Sequence, residues 1–317
     1  MSSSSLGKTI VTGGAGFLGS AVCKRLADAG VEYAVPRRAH YDLTCPTTTS
    51  ALYRSVKPET VIHLAAEVGG IGANRENPGR YAWANLAMGV NVIEQARAHG
   101  VRKVVFVGTV CSYPLSPPVP FSESSLWDGY PEATNAPYGI AKKAIGEMLM
   151  GYHRQYGLAG AYVIPTNLYG PRDNFDPSSS HVIPALIRKY IEAKEREDAE
   201  VVAWGSGKPL RDFIYIGDVC EAVILAAQNY DGADLINISS GQRISIRELV
   251  ERVAELTGFR GRVVWDTSKP DGQMDKGFAV ERMKKILGFT PRTPLREGLQ
   301  KTIDWFLAHR GKLREVS

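Results

Sequence analysis

Thr12-Gly13-Gly14-Ala15-Gly16-Phe17-Leu18-Gly19 follows directly on the short apolar run Lys8–Thr12. A run of this kind that ends in glycines reads as a buried parallel strand. The residues after it, Phe17–Ala29, carry apolar side chains at helical spacing and stop at Gly30, a suitable C-terminal cap. Strand, glycine turn and helix together give a glycine motif its chemical meaning. Glycines let the backbone approach a pyrophosphate, and the helix N-terminus favours its negative charge. The spacing is G-x-x-G-x-x-G over Gly13, Gly16 and Gly19. It predicts that these glycines, with Phe17 and Leu18 at the helix start, hold a dinucleotide.

The same alternation continues outward. Glu32–Val35, Thr60–Leu64, Lys103–Val107 and Ala161–Ile164 read as further strands. Ser50–Val56, Ala87–His99 and Tyr138–Tyr156 read as the helices between them. Strands alternating with helices imply an α/β fold, a Rossmann-type doubly wound parallel sheet. After about Asn167 the texture changes. Gly170–Ser180 is rich in Pro, Asp, Asn and Ser and reads as a loop. A helix at Val182–Glu197, a strand at Glu200–Ala203, an extended piece at Phe213–Tyr215 and helices at Ile246–Thr257, Met283–Leu287 and Leu295–Leu307 follow. The expected organisation is a dinucleotide-binding domain, 1–168 plus 213–238, and a smaller mixed α/β substrate domain, 169–212 plus 239–317. Ligands of open α/β sheets bind outside the carboxyl ends of the strands, which the smaller domain is expected to cap.

The 317 residues are 44% hydrophobic and 22% charged, ordinary for a soluble globular chain. No apolar run approaches the ~20 residues that span a bilayer. The serine-rich start Met1–Lys8 lacks the apolar core of a secretion signal and reads as a frayed tail. Cys23, Cys45, Cys111 and Cys220 are scattered without metal-ligand spacing, as expected in a reduced cytoplasm with no structural metal. Thirty-eight basic against 33 acidic residues leave a net charge of +5. That surplus is not gathered into basic runs, so it suits an anionic small molecule and not a nucleic acid or a membrane surface.

The end of the second strand should meet the adenosine ribose. An acid there would accept from the ribose 2′-hydroxyl, whereas arginine would take a 2′-phosphate. The chain reads Val35-Pro36-Arg37-Arg38-Ala39-His40, with no acid. Arg37 and Arg38 therefore point to NADP (NADPH) as cofactor. Asp42 and Leu43 are assigned to the adenine side. His63-Leu64-Ala65-Ala66 ends the third strand with small residues, so Ala65 is expected to line the cofactor and His63 to be a packed strand residue.

Ala136-Pro137-Tyr138-Gly139-Ile140-Ala141-Lys142 places a tyrosine and a lysine four apart, on one face of a helix. Thr109 follows the fourth strand. A free tyrosine has a pKa near ~10, and a lysine cation beside it favours the phenolate. The expectation is that Tyr138 exchanges a proton with a carbonyl oxygen, Lys142 tunes it, and Thr109 hydrogen-bonds the same oxygen.

With these residues in place the chain resembles the extended short-chain dehydrogenase/reductase superfamily, and within it the GDP-L-fucose synthase family. The resemblance runs over nearly the whole chain. Its most specific parts are Glu67–Asn74, Pro165–Pro171, Asp173-Asn174-Phe175, Ser180–Leu186, Trp204–Gly207 with Arg211-Asp212-Phe213, and Ser268–Gly272. It implies NADPH-dependent 3,5-epimerisation and 4-reduction of GDP-4-keto-6-deoxy-D-mannose. It assigns the acid/base pair for C3 and C5 to Cys111 and His181. It assigns substrate binding to Asn167, His181, Arg188, Trp204, Arg211, Lys269 and Asp271, with Asn167 also beside the cofactor. It also implies a cytoplasmic homodimer joined through a four-helix bundle made by the helices around Ala87–His99 and Tyr138–Tyr156.

One stretch departs from the family pattern. Gly272-Gln273-Met274-Asp275-Lys276-Gly277-Phe278 lacks the arginine the family carries there, although Lys276 is kept. A different GDP-linked 4-keto sugar, such as a 6-deoxy-heptose, therefore stays open as substrate. A 4,6-dehydratase would need a carboxylate pair after Thr109, where Val110-Cys111 stand. A UDP-sugar 4-epimerase would have no use for Cys111 and His181, and a non-catalytic NADP-binding regulator would not need the whole set.

Overall fold

The computed structural model describes residues 6–69, 71–177 and 179–313; the expected N-terminal tail lies largely outside them, as do Gly70, Ser178 and 314–317. Contacts divide the chain into two units. The first is Met1–Thr166, Val219–Ile238 and Ala279–Thr290; the second is Asn167–Asp218, Ser239–Phe278 and Pro291–Ser317.

The first unit begins with β1 (Thr9–Thr12), α1 (Phe17–Asp28), β2 (Tyr33–Ala34), α2 (Pro46–Val56) and β3 (Thr60–His63). It continues with α3 (Ile71–Glu76), α4 (Pro78–Ala98), β4 (Lys103–Val107), α5 (Ala136–Tyr156) and β5 (Ala159–Pro165). The chain then builds the second unit from β6 (Asn167–Tyr169), α6 (Val182–Glu195), β7 (Glu200–Trp204) and β8 (Leu210–Tyr215). Helix α7 (Ile216–Asn229) returns it to the first unit, where β9 (Leu235–Ile238) completes the sheet. The second unit resumes with β10 (Arg243–Ser245), α8 (Ile246–Thr257), β11 (Arg262–Asp266) and β12 (Asp275–Lys276), then α9 (Glu281–Leu287) and α10 (Leu295–Leu313) follow.

The six-stranded sheet runs β2-β1-β3-β4-β5-β9 with every neighbouring pair parallel. The Rossmann-type expectation holds. The order turns back at β1, with β2 on one side and β3 on the other, which makes the carboxyl end of β1 a switch point. The strands are short apolar runs without alternation because both faces are covered. All four residues of β1, β3 and β9 are buried. Sequence pattern missed α7 and β9. Helix α7 is mostly apolar and buried, with less covered positions at Gly217, Glu221, Leu225 and Gln228.

The second unit holds a sheet ordered β10-β8-β12, with β6 also pairing β8, and a parallel β11-β7 pair. Its core gathers Tyr169, Phe175, Ile183, Ile187, Tyr190, Leu249, Val253, Leu299 and Phe306. Three boundaries differ from the sequence expectation, the smallest being that residues 167 and 168 open the second unit with β6. Residues 213–218 belong to the second unit, because β8 is the centre of its sheet. Residues 279–290 belong to the first, because Arg282 donates to the Leu235 carbonyl beside β9 and Ala279 N–H to the Phe121 carbonyl. No helix among the described residues is long and apolar enough to cross a membrane.

Candidate active site

The glycine turn lies at the carboxyl end of β1. Gly13 adopts φ +69°, a left-handed conformation, and a Cβ there would stand 2.8 Å from the Ala65 backbone nitrogen. A Cβ on Gly19 would drive into the Gly13 carbonyl oxygen, so the helix meets the turn only with glycine at that place. Helix α1 begins at Phe17 with Gly16 as its cap and no side-chain capping bond, and Ala15 and Gly16 are exposed. Its first N–H groups therefore face outward beside a cradle without side chains, which fits a pyrophosphate. Ala65 is tied in by its N–H to Thr12 Oγ1 at 3.3 Å. His63 is buried, with Nδ1 2.8 Å from Thr12 Oγ1 and its ring 4.5 Å from that of Phe106, and burial holds it neutral. It is the packed strand residue expected.

Around the ribose end the structure adds groups that the local sequence does not display. Arg37 and Arg38 are exposed. Arg38 Nη1 donates to Glu67 Oε1 at 2.7 Å and its Nε stands 3.9 Å from Asp42 Oδ2. Arg80 grips the same Glu67 with two bonds, 2.7 and 2.8 Å. Val35–His40 carries no acid, and the carboxylate beside Arg38 comes from elsewhere in the chain. Parallel pairing of β3 with β1 brings Glu67 from another segment to that end. Asp42 accepts from the backbone and side chain of Thr44, which hold its carboxyl below the usual range. Leu43 is buried and its carbonyl accepts from Asn91, so this residue packs into the unit.

The chemical groups gather where α5 meets the end of β4. Pro137 in the first turn starts α5, and Tyr138 and Lys142 follow on one face, both buried. Gly139 makes the approach possible: a Cβ there would strike the Cys111 carbonyl oxygen, and the Ser112 hydroxyl instead donates to the Gly139 carbonyl at 2.8 Å. Thr109 hydrogen-bonds the Tyr138 phenol and accepts from Cys111 N–H at 3.2 Å. Lys142 Nζ lies 4.7 Å from the centre of the Phe106 ring, and Tyr162 donates to the Lys142 carbonyl at 2.7 Å. Thr109, Cys111, Tyr138 and Lys142 thus stand together. Burial raises the Tyr138 pKa and lowers that of Lys142 to about 7. Desolvation is the largest influence on the phenol and favours its protonated form, while the Thr109 hydrogen bond works the other way.

The other assigned residues lie in the second unit. His181 is exposed, precedes α6 without a capping bond, and is held neutral by partial desolvation. Asn167 donates to the Asp212 carbonyl at 2.7 Å. Trp204 is 71% exposed, with Lys269 Nζ 5.7 Å from its ring centre. Asp271 accepts from Ser206 N–H and Oγ at 2.6 and 2.7 Å, clasping the turn between Gly205 and Gly207. Arg211 is half-buried, one guanidinium N–H on the Leu210 carbonyl. Arg188 is occupied by Glu192 and the Phe175 carbonyl. Sequence reasoning gave no role to Glu67, Arg80 or Gly139, although Glu67 opens the stretch Glu67–Asn74 and Gly139 lies between Tyr138 and Lys142.

Residues 9–239 match the NAD dependent epimerase/dehydratase family. The chain is 43% identical over 303 residues to the probable GDP-L-fucose synthase 1 of Oryza sativa subsp. japonica, covering 95% of this chain and 92% of that protein. It is 38% identical to the GDP-L-fucose synthase of Escherichia coli, covering 97% and 98%. Among solved structures it is similar to a GDP-L-fucose synthetase from Naegleria fowleri bound to NADP, with TM-score 0.89, 28% identity and coverage of 98% and 97%. A GDP-mannoheptose C4 reductase from Campylobacter jejuni with NADP bound gives TM-score 0.87 and 29% identity over 95% and 98%.

Proposed function

The chain belongs to the NAD dependent epimerase/dehydratase family, and from that premise we propose that it converts GDP-4-keto-6-deoxy-D-mannose to GDP-L-fucose by 3,5-epimerisation and NADPH-dependent 4-reduction. The observation that carries this is the gathering of Thr109, Cys111, Tyr138 and Lys142 at one place, in a chain whose relatives of that name match along nearly its whole length.

The protons on C3 and C5 flank the C4 ketone and are acidic because the enolate is stabilised at the C4 oxygen. Thr109 and Tyr138 donate hydrogen bonds to that oxygen as its charge develops. The Cys111 thiol and the His181 imidazole serve as the acid/base pair, one removing a proton and the other returning one to the opposite face. Desolvation that keeps His181 neutral leaves it able to accept a proton. Bound NADPH supplies the two electrons and one hydrogen that reduce C4. Tyr138 then gives its proton to the new alkoxide, for which the protonated phenol is the required form. Lys142 stabilises the phenolate left behind.

Gly13, Gly16 and Gly19 hold the pyrophosphate, Phe17 and Leu18 the helix end beside it, and Arg37 and Arg38 the 2′-phosphate. Trp204, Arg211 and Lys269 take the guanine and diphosphate end of the substrate, with Asn167 nearer the sugar. Arg188 and Asp271 support those loops. The enzyme works in the reduced cytoplasm as a homodimer joined through α4 and α5.

Incubation with GDP-4-keto-6-deoxy-D-mannose and NADPH in deuterated water tests the function. GDP-L-fucose carrying deuterium at C3 and C5 is the expected product. Reduction without label would leave a C4 reductase and remove Cys111 and His181 from the chemistry. No NADPH consumption would move the substrate to another GDP-sugar, the reading favoured by the departure at Gly272–Phe278.

A further inference from the structure

Arg38 and Glu67 occupy equivalent places on two strands. Arg38 stands four residues beyond the end of β2, and Glu67 four residues beyond the end of β3. Strand β1 lies between them in the sheet. Their 2.7 Å ion pair therefore closes across the carboxyl end of the strand that delivers the glycine turn. The pair is built, not casual. Glu67 is anchored at its backbone by buried Asn85, whose Nδ2 donates to the Glu67 carbonyl at 2.7 Å and whose Oδ1 accepts from the Glu67 N–H at 3.3 Å. Its carboxylate is held by Arg80 through two parallel bonds. The Glu67 side chain is 21% exposed, against 62% for Arg38 and 43% for Arg80. The carboxylate is the fixed member of the group, and Arg38 is the one free to turn.

We propose that Glu67, held by Arg80, is a specificity-determining residue that sets the discrimination between NADPH and NADH by competing with the 2′-phosphate for Arg38. A 2′-phosphate carries close to two negative charges at neutral pH and wants a guanidinium with free donors. In this protein one of those donors is already on a carboxylate, so the phosphate must displace or share it. The same carboxylate is an acceptor at the place where a 2′-hydroxyl would need one. Glu67 thus weakens NADPH and supports NADH, and the chain tolerates both more evenly than two arginines alone would allow. Arg80 is a positioning residue: without it Glu67 has Arg38 as its sole guanidinium partner and neutralises it more completely.

The inference rests on Arg38 meeting the 2′-phosphate, and the test separates the two. NADP+ and NAD+ are titrated calorimetrically into the full-length protein and into Glu67→Gln, Arg80→Gln and Arg38→Gln. Glu67→Gln is expected to raise the ratio of the NAD+ to the NADP+ dissociation constant roughly five- to tenfold, the scale of one ordinary hydrogen bond. Arg80→Gln is expected to lower that ratio. An unchanged or reduced ratio in Glu67→Gln, with Arg38→Gln still weakening NADP+, overturns the role of Glu67 and leaves the cofactor site standing. Unchanged NADP+ binding in Arg38→Gln overturns the site reading and the inference with it. Should Glu67→Gln not fold, Glu67→Asp withdraws the carboxylate by one methylene and is expected to raise the ratio in the same direction.

Discussion

Lys142 shows how one buried charge is balanced between burial and use. It is 2% exposed, and its companion is the face of Phe106 and not a carboxylate. Burial brings its pKa down to about 7 from the ordinary lysine value. A base whose folded pKa is depressed opposes folding while protonated. The cost is complete below about pH 7 and disappears as pH rises toward the unfolded value, ~10.4. Lys142→Met should therefore be more stable than the wild type at pH 6, by up to about 5 kcal/mol, with the difference closing by pH 10. Urea unfolding at the two pH values measures it, and an equal difference at both would refute the assignment. The neighbouring Tyr138 is pushed the other way by the same desolvation, which keeps it a proton donor across the neutral range.

At the scale of elements, the site depends on how closely α5 approaches the turn after β4. Gly139 sets that distance, since its missing side chain is the space taken by the Cys111 carbonyl oxygen. Gly139→Ala keeps helix propensity, and even improves it, while forcing α5 away from Thr109 and Cys111. The expected result is a stability loss of about 1–3 kcal/mol from overpacking and a fall in kcat on the order of 100-fold from misplaced groups. Steady-state kinetics with thermal unfolding check it; a variant with wild-type kcat would show that the approach has slack. A similar contact joins α4 to α5, where a Cβ on Gly89 would stand 2.6 Å from Ile145 Cγ1. The two long helices pack as one plate on the sheet.

At the scale of the whole molecule, that plate carries the proposed dimer. Trp83, Leu86 and Val90 are 51%, 36% and 42% exposed along α4, and Ile140 and Tyr156 are 41% and 49% exposed on α5. Spacings of three and four place the α4 residues on one stripe, which a second copy would cover. The wild type is expected at twice 34.6 kDa by light scattering. Trp83→Glu combined with Leu86→Glu is expected to run at the single-chain mass with its fold intact by circular dichroism. A dimer that survives both charges would place the interface elsewhere.

The sequence by itself determined the parallel sheet, the glycine turn and the Tyr138–Lys142 pair, because each is written in residues close together: an apolar run, a glycine spacing, an i, i+4 separation. It also marked Thr109 and Cys111, which follow a recognisable strand. Strand β9 escaped because its four residues are all buried, which erases the alternation that reveals a strand. Only the tertiary structure decided that Glu67 meets both Arg38 and Arg80, since folding and not nearness in sequence brings together the segments after β2 and β3 and helix α4. Only it shows Tyr138 and Lys142 both buried, a desolvation that raises the phenol's pKa and lowers the ammonium's and that belongs to everything packed around the pair.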